Sequence, residues 1–296
     1  PRKGTISPFG RSTKLVAQIA NYKTSFSANY LNFNFIKSDT SLKKITIEKG
    51  QYLLEKTLII PKGFSVIIES GVELDFRNNA SLISYSSIEC KGTKTAPVKF
   101  YSTDGTGSGI FVTNAAEKSV FNYCHFGNLS NPSSTIWELS GAVNFHESEI
   151  EIKNSLFEKN RCEDALNIIR SSFSISNTTF KNSQSDAFDG DFVKGTLSHC
   201  KFYNSGNDGI DVSGSQIFLK DIYIENSLDK GISAGENSTI SGSEINILGG
   251  EIGIVSKDLS TVTLSQVTLF DAKLGFSAFQ KKTEYGKGSI SIENLS

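Results

Sequence analysis

Residues 185–191 read Ser-Asp-Ala-Phe-Asp-Gly-Asp, residues 207–213 read Asn-Asp-Gly-Ile-Asp-Val-Ser, and residues 229–233 read Asp-Lys-Gly-Ile-Ser. Aligned on the small residue and the apolar residue after it, the three stretches are copies at a spacing of 22. The same pair recurs as Ala165-Leu166, Ala187-Phe188, Gly209-Ile210, Gly231-Ile232, Gly253-Ile254 and Gly275-Phe276, always 22 apart, and Ala142-Val143 lies 23 before the first. A second apolar row, Phe157, Phe180, Phe202, Ile224, Ile247 and Leu269, runs in phase with it. A third row, Asn160, Asn182, Asn204 and Asn226, repeats at 22 as well. Helical repeats need longer units, and the leucine framework of leucine-rich repeats is missing.

Within each unit apolar and polar residues alternate, as in Glu149-Ile-Glu-Ile152, Ser174-Ile-Ser176 and Thr261-Val-Thr-Leu264, which is the period of a strand. Three short strands per unit, joined by Gly, Asn or Ser turns, make one coil of a parallel β-helix, each coil stacked about 4.8 Å above the last. The expected fold is therefore all-β, a single solenoid of about ten or eleven coils over residues 41–296, with residues 1–40 as an N-terminal cap. The cap carries Tyr22, Phe26, Tyr30, Phe33 and Phe35, apolar rings able to cover the open end of a coil. The Asn row reads as a ladder of turn residues that tolerate the left-handed conformation. Between Phe126 and Phe157 the chain is 31 residues long. The surplus is expected to loop out around 128–137, and its Trp137 either packs or touches a sugar.

The chain has 296 residues, 30 Lys+Arg against 31 Asp+Glu and a net charge of −1. That balance lacks the basic surplus of a general nucleic-acid binder, and no apolar stretch approaches the ~20 residues of a membrane span. Residue 1 is Pro and Met is absent, so the chain reads as a mature or trimmed piece, with an attached or partner domain left open. The neutral total hides an asymmetry: residues 1–60 carry ten Lys/Arg against three Asp/Glu, and residues 161–240 carry seven against eleven. The four cysteines, Cys90, Cys124, Cys162 and Cys200, have no metal-type spacing, and Cys124 and Cys200 should point inward as small fillers. The histidines, His125, His146 and His199, share no ligand pattern.

The acidic stretch sorts into columns at the repeat: Asp164, Asp186, Asp208, Lys230; then Asn167, Asp189, Asp211, Ser233; then Ile169, Asp191, Ser213, Gly235. With Leu166, Phe188 and Ile210 inward, period two places the second and third columns outside on one sheet. Carboxylates stacked about 4.8 Å apart repel by roughly 3–4 kcal/mol at an effective dielectric near 20, so protonation, turn N–H groups or a cation must relieve them. Three readings fit. The acids hold coil corners as Asx-turns. Alternatively Asp189, Asp191 and Asp211 bind Ca²⁺ through oxygen ligands. Alternatively Asp208, Asp186 and Lys230 act in catalysis on a sugar polymer, with Lys257, Asn167 and Ser233 contacting substrate.

The Asp-Gly-Ile-Asp and Asp-Lys-Gly-Ile-Ser rungs, with the Asn row, resemble the right-handed parallel β-helix superfamily of pectate lyases, polygalacturonases and alginate-active enzymes. From about residue 45 to 290 the chain is similar to secreted bacterial carbohydrate-binding and sugar-hydrolase type β-helix repeats. The resemblance implies right-handed coils, a polysaccharide partner and a secreted, cell-surface or periplasmic location. It further implies a Ca²⁺-assisted lyase on an acidic glycan, with Lys230 as base and Asp189, Asp191 and Asp211 on the metal. The polygalacturonase Gly-His-Gly and Arg-Ile-Lys motifs and the epimerase Asp-Pro-His motif do not occur. A non-catalytic surface or partner-binding module is the other class the repeat allows.

Overall fold

Alternation with period two produces strands whose apolar members all face one side, and here that side closes on itself. The computed structural model describes residues 27–134 and 137–296. Apart from a 3₁₀ turn at Tyr30–Asn32, the described elements are strands. They form a ten-stranded parallel sheet and an 18-stranded one, and the larger sheet folds round two sides of the coil. Leu166, Phe188, Ile210, Ile232 and Ile254 pair in register through successive coils and are fully buried. On the opposite interior wall Phe126, Phe157, Phe180 and Phe202 stack with ring centroids 4.5, 4.6 and 4.9 Å apart. The coil spacing matches the stacking distance of an aromatic ring, which is why one Phe per turn can build a continuous column.

The row of small residues has a steric cause. A Cβ on Gly209, Gly231 or Gly253 would lie 2.7–2.8 Å from the carbonyl oxygen of the glycine one coil on. Coils approach one another most closely there, and only Ala or Gly occupies the column.

Three corners close each coil, and each is a residue in the left-handed region. One runs through Asn154 (φ 51°), Asn177 (49°) and His199 (53°), another through Arg170 (47°) and Phe192 (54°), and the third through Asn182 (55°), Asn204 (53°) and Asn226 (56°). The Asn182 side-chain oxygen accepts from Asn204 Nδ2 at 2.9 Å, and Asn204 in turn accepts from Asn226 at 3.3 Å. Asn160 departs from the expected ladder. Phe157 pairs with Phe180, 23 residues on, so the corner position of that coil is Lys159 (φ 55°). Asn160 is instead buried, accepting from the Leu129 N–H and donating to the Phe126 carbonyl.

A second ladder is made of buried serines. Ser148 N–H donates to Ser171 Oγ, Val193 N–H to Ser215 Oγ, Ser215 N–H to Ser238 Oγ and Ser238 N–H to Ser260 Oγ, each at 2.9–3.0 Å. These bonds satisfy corner N–H groups that leave the strand ladder.

At the N-terminal end strand Ile36–Asp39 pairs antiparallel with Lys44–Ile47. Tyr30 packs on Phe64, and Phe35 stacks on Tyr52 at 4.8 Å. Tyr22 and Phe26 lie outside the described residues. The surplus chain after Phe126 stays with the coil through buried Leu129 and through Ser130, which bridges Ser108, and half-buried Trp137 lies 6.5 Å from Phe111. All four cysteines are buried and free. Among the described residues no helix is long and apolar enough to cross a membrane.

Candidate acidic site on the ten-stranded sheet

The sheet of strands Gly141–His146, Asp164–Ile169, Asp186–Asp191, Ile210–Ser213, Lys230–Gly235 and Ile252–Lys257 carries the acidic columns. Its register sets Asn144, Asn167, Asp189, Asp211, Ser233 and Val255 side by side. Asp191 and Ser213 pair one step further along. The second and third columns are thus brought together on one outward face. The first column sits at the corner leading into the strands.

That first column is built into the backbone. Asp186 accepts from the Asp208 N–H and from Asn207 Nδ2, both at 2.7 Å. Asp208 accepts from the Lys230 N–H at 3.0 Å and lies 3.4 Å from Lys230 Nζ, which also contacts Asp229. Burial raises the Asp186 carboxyl and pushes Asp208 up to about 7. For Lys230 burial works against the charge, but the Asp229 and Asp208 carboxylates outweigh it and hold the ammonium above its ordinary value. Lys230 is therefore a loaded cation at neutral pH. Asp164, 2 % exposed, is pushed up to about 7 chiefly by burial, and its Oδ2 has no hydrogen-bond partner.

The second column behaves differently. Asn167 Nδ2 donates to Asp189 Oδ2 at 2.8 Å, and Asn167 Oδ1 lies 3.3 Å from His146 Nε2, which donates to it in the Nε2–H tautomer. Enclosure first, then the neighbouring Asp164, Asp191, Asp211 and Asp186, push Asp189 up to about 9. The Lys257 ammonium sits 3.9 Å from Asp211 Oδ1 and donates to Ser233 Oγ at 3.0 Å. Burial, Glu236 and Asp211 raise Asp191, while Arg170 and Lys282 oppose them. The column repulsion is relieved by a proton on Asp189 and a cation beside Asp211. A carboxyl that holds its proton at neutral pH beside a second acid is an arrangement that acid–base chemistry uses. His146 packs edge-on to Phe111 at 5.0 Å, giving the face an aromatic flank.

The alternation placed Asn167, Asp189, Asp191, Asp211 and Ser233 together, and Lys257 joins them from the next coil. His146 was missed as a neighbour because the spacing to its coil is irregular. Among the described residues no three His, Cys, Asp or Glu side chains are arranged to hold a metal ion. Asn167 engages Asp189, and the Lys257 ammonium already stands beside Asp211, so these side chains do not form a Ca²⁺ cradle and no step is drawn through one.

A family described as the right-handed beta helix region matches residues 140–294. No curated protein sequence matches the chain. Among solved structures, the catalytic domain of a GH87 α-1,3-glucanase variant in complex with tetrasaccharides superposes with a TM-score of 0.50 at 10 % identity, covering 87 % of this chain and 61 % of that one. A variant of the periplasmic alginate epimerase AlgG gives 0.46 at 11 % identity, covering 91 % and 92 %. The catalytic unit of the thermostable GH87 α-1,3-glucanase from Streptomyces thermodiastaticus strain HF3-3 gives 0.32 at 10 % identity, covering 86 % and 61 %. The chain spans about 60 % of the length of the glucanase domains. At such identities the likeness is one of fold.

Proposed function

The chain belongs to the right-handed β-helix family, and from that premise we propose that it acts on a polysaccharide, cleaving glycosidic bonds at the outward face of the ten-stranded sheet. The observation that carries this reading is the pairing of Asp189 with Asp211 on adjacent strands, one held by the Asn167 amide and the other faced by the Lys257 ammonium. Asp189, protonated at neutral pH, gives its proton to the leaving glycosidic oxygen. Asp211, one strand away and beside the Lys257 ammonium, attacks the anomeric carbon as that bond breaks, and water, giving its proton to Asp189, then releases the sugar. Asn167 and Ser233, both buried, hold Asp189 and Lys257 in place, and the Phe111–His146 flank offers an apolar surface to a sugar face. Asp186 and Asp208 hold the corner that sets the register of these strands.

Elimination on an acidic glycan with Lys230 as base is less favoured, because Lys230 holds its proton against Asp229 and Asp208. A polymeric substrate also places the protein outside the cytoplasm.

The test is incubation with neutral glucans and uronate polymers, with Ca²⁺ and with chelator, reading both new reducing ends and the absorbance of unsaturated product. The expected result is reducing ends without unsaturation, unaffected by chelator and lowered about 10²–10⁴-fold by Asp189→Asn or Asp211→Asn. Unsaturated product would establish elimination instead. Binding without turnover would make the chain a display module.

A further inference from the structure

A cavity lies on another side of the solenoid from the acidic columns. It is bounded by the short strands Cys124–Gly127, Leu156–Glu158 and Thr179–Lys181 and has a volume of about 870 Å³. A smaller volume of about 430 Å³ adjoins it, sharing His125 and Glu158 and reaching Lys99 and Tyr101. We propose that this concave face is a separate binding site for a linear acidic oligosaccharide, laid along the solenoid axis. The proposal does not depend on the acidic face being hydrolytic.

The lining is suited to sugars. Tyr123 and Tyr203 stand at the margins of the larger cavity, with Asn154, Asn177 and Thr179 between them. Tyrosine rings offer flat apolar faces to the C–H side of a sugar and keep a hydroxyl for its edge. Several polar groups here are unused by the protein. His125 Nε2 is buried without a hydrogen-bond partner, 3.7 Å from Glu158 Oε2. Among the described residues the exposed Asn177 amide and the half-exposed Thr179 hydroxyl make no side-chain hydrogen bond and are open to a ligand. A buried polar atom left unpaired is costly, and a sugar hydroxyl would satisfy His125 Nε2. Burial lowers the His125 pKa, so a neutral imidazole presents itself to such a hydroxyl.

Charge and geometry select the ligand further. Lys94 and Lys181 line the same cavity, and among the described residues neither is ion-paired, so the mouth favours carboxylate-bearing sugars. Gly127, in register with Glu158 and Tyr101, lines the smaller volume, and a Cβ there would stand 3.2 Å from His125 Nε2, so glycine leaves room beside that nitrogen. The coils rise about 4.8 Å each, close to the length of one sugar residue in a linear chain. Equivalent groups on successive coils therefore meet equivalent groups on successive sugars. Each volume, about 870 and about 430 Å³, falls in the range of ordinary ligand sites, about 300–1,000 Å³.

The test is calorimetric titration of a uronate oligosaccharide into the wild-type protein and three variants, with a neutral glucan oligomer of equal length as comparison. Tyr203→Ala and Lys181→Glu are expected to weaken uronate binding about tenfold or more, while Asp189→Asn, which disables the acidic face, retains it. Lys181 is exposed, so its variant folds even if the Tyr203 variant does not. The proposal is overturned if the wild type shows no binding, if binding is lost only in Asp189→Asn, or if the neutral oligomer binds as tightly.

Discussion

Asp189 takes up a proton when the chain folds, and this has a measurable consequence. Its carboxyl moves from 3.8 to about 9 through enclosure and four neighbouring acids. In the unfolded chain that proton leaves near its ordinary value, so across the window between the two the folded state binds more protons. Stability is then full below the unfolded pKa and falls as pH rises through the window. Asp189→Asn removes the titration while keeping size and polarity. The variant is expected to have a higher Tm than wild type at about pH 8 and a flatter slope of Tm against pH between about 5 and 8. An unchanged slope would show that Asp189 is ionised in the folded protein. The counterpart is Lys257: Lys257→Met removes the ammonium beside Asp211, so turnover should fall, and an unchanged rate would remove Lys257 from the site. Asp189 and Asp211 were visible as members of one repeating column, but the partner each one takes was not. That depends on the Asn167 amide and the Lys257 ammonium, which come from different coils.

At the scale of the element, the corners matter more than the strands. Non-glycine residues in the left-handed region cost roughly 1–2 kcal/mol each, and every coil contains several. The asparagine corner announces itself in sequence because Asn tolerates that region and pairs with itself. The other two corners hold Arg, Phe, His and Asp among others, with no shared chemistry to detect, because the backbone is held there by neighbouring coils. The serine ladder was equally hidden, since serine is common in every turn. Its weight is testable. Ser215→Ala leaves the Val193 N–H without its acceptor and is expected to lower stability by about 1–3 kcal/mol. Ser213→Ala, on the outward face with no side-chain hydrogen bond, should change it by less than about 0.5 kcal/mol. Urea unfolding midpoints distinguish the two, and equal midpoints would remove the ladder from the account.

For the whole molecule, stacking makes each coil depend mainly on the two beside it. Inner residues of the middle coils are fully buried, whereas the inward Leu269 and Phe276 near the far end are half-buried and Leu295, in register with buried Val267, is 54 % exposed. Hydrogen exchange should follow that gradient. Amides of Asp186–Asp191 and Ile210–Ser213 are expected to exchange slowest, and those of Leu274–Phe279 and Ser289–Leu295 fastest. Uniform protection would mean that the solenoid opens as one unit. The acidic face sits on the slow coils, so its register is set where the scaffold is most rigid. The groove of the short strands spans coils of the same central region.

The repeat alone determined that the chain coils with three strands per turn, which residues fill its interior and which acids share a face. A period of two within a period of 22 admits little else, because each inward residue can be buried only by its equivalents above and below. The tertiary structure decided what periodicity cannot carry. A one-residue difference in spacing moved Asn160 from the corner to the interior. Protonation states were decided by side chains from several coils. The cavity on the short-strand face is bounded by residues far apart in sequence, from Lys94 to Asn204. These are differences between coils, and a repeat records only what the coils have in common.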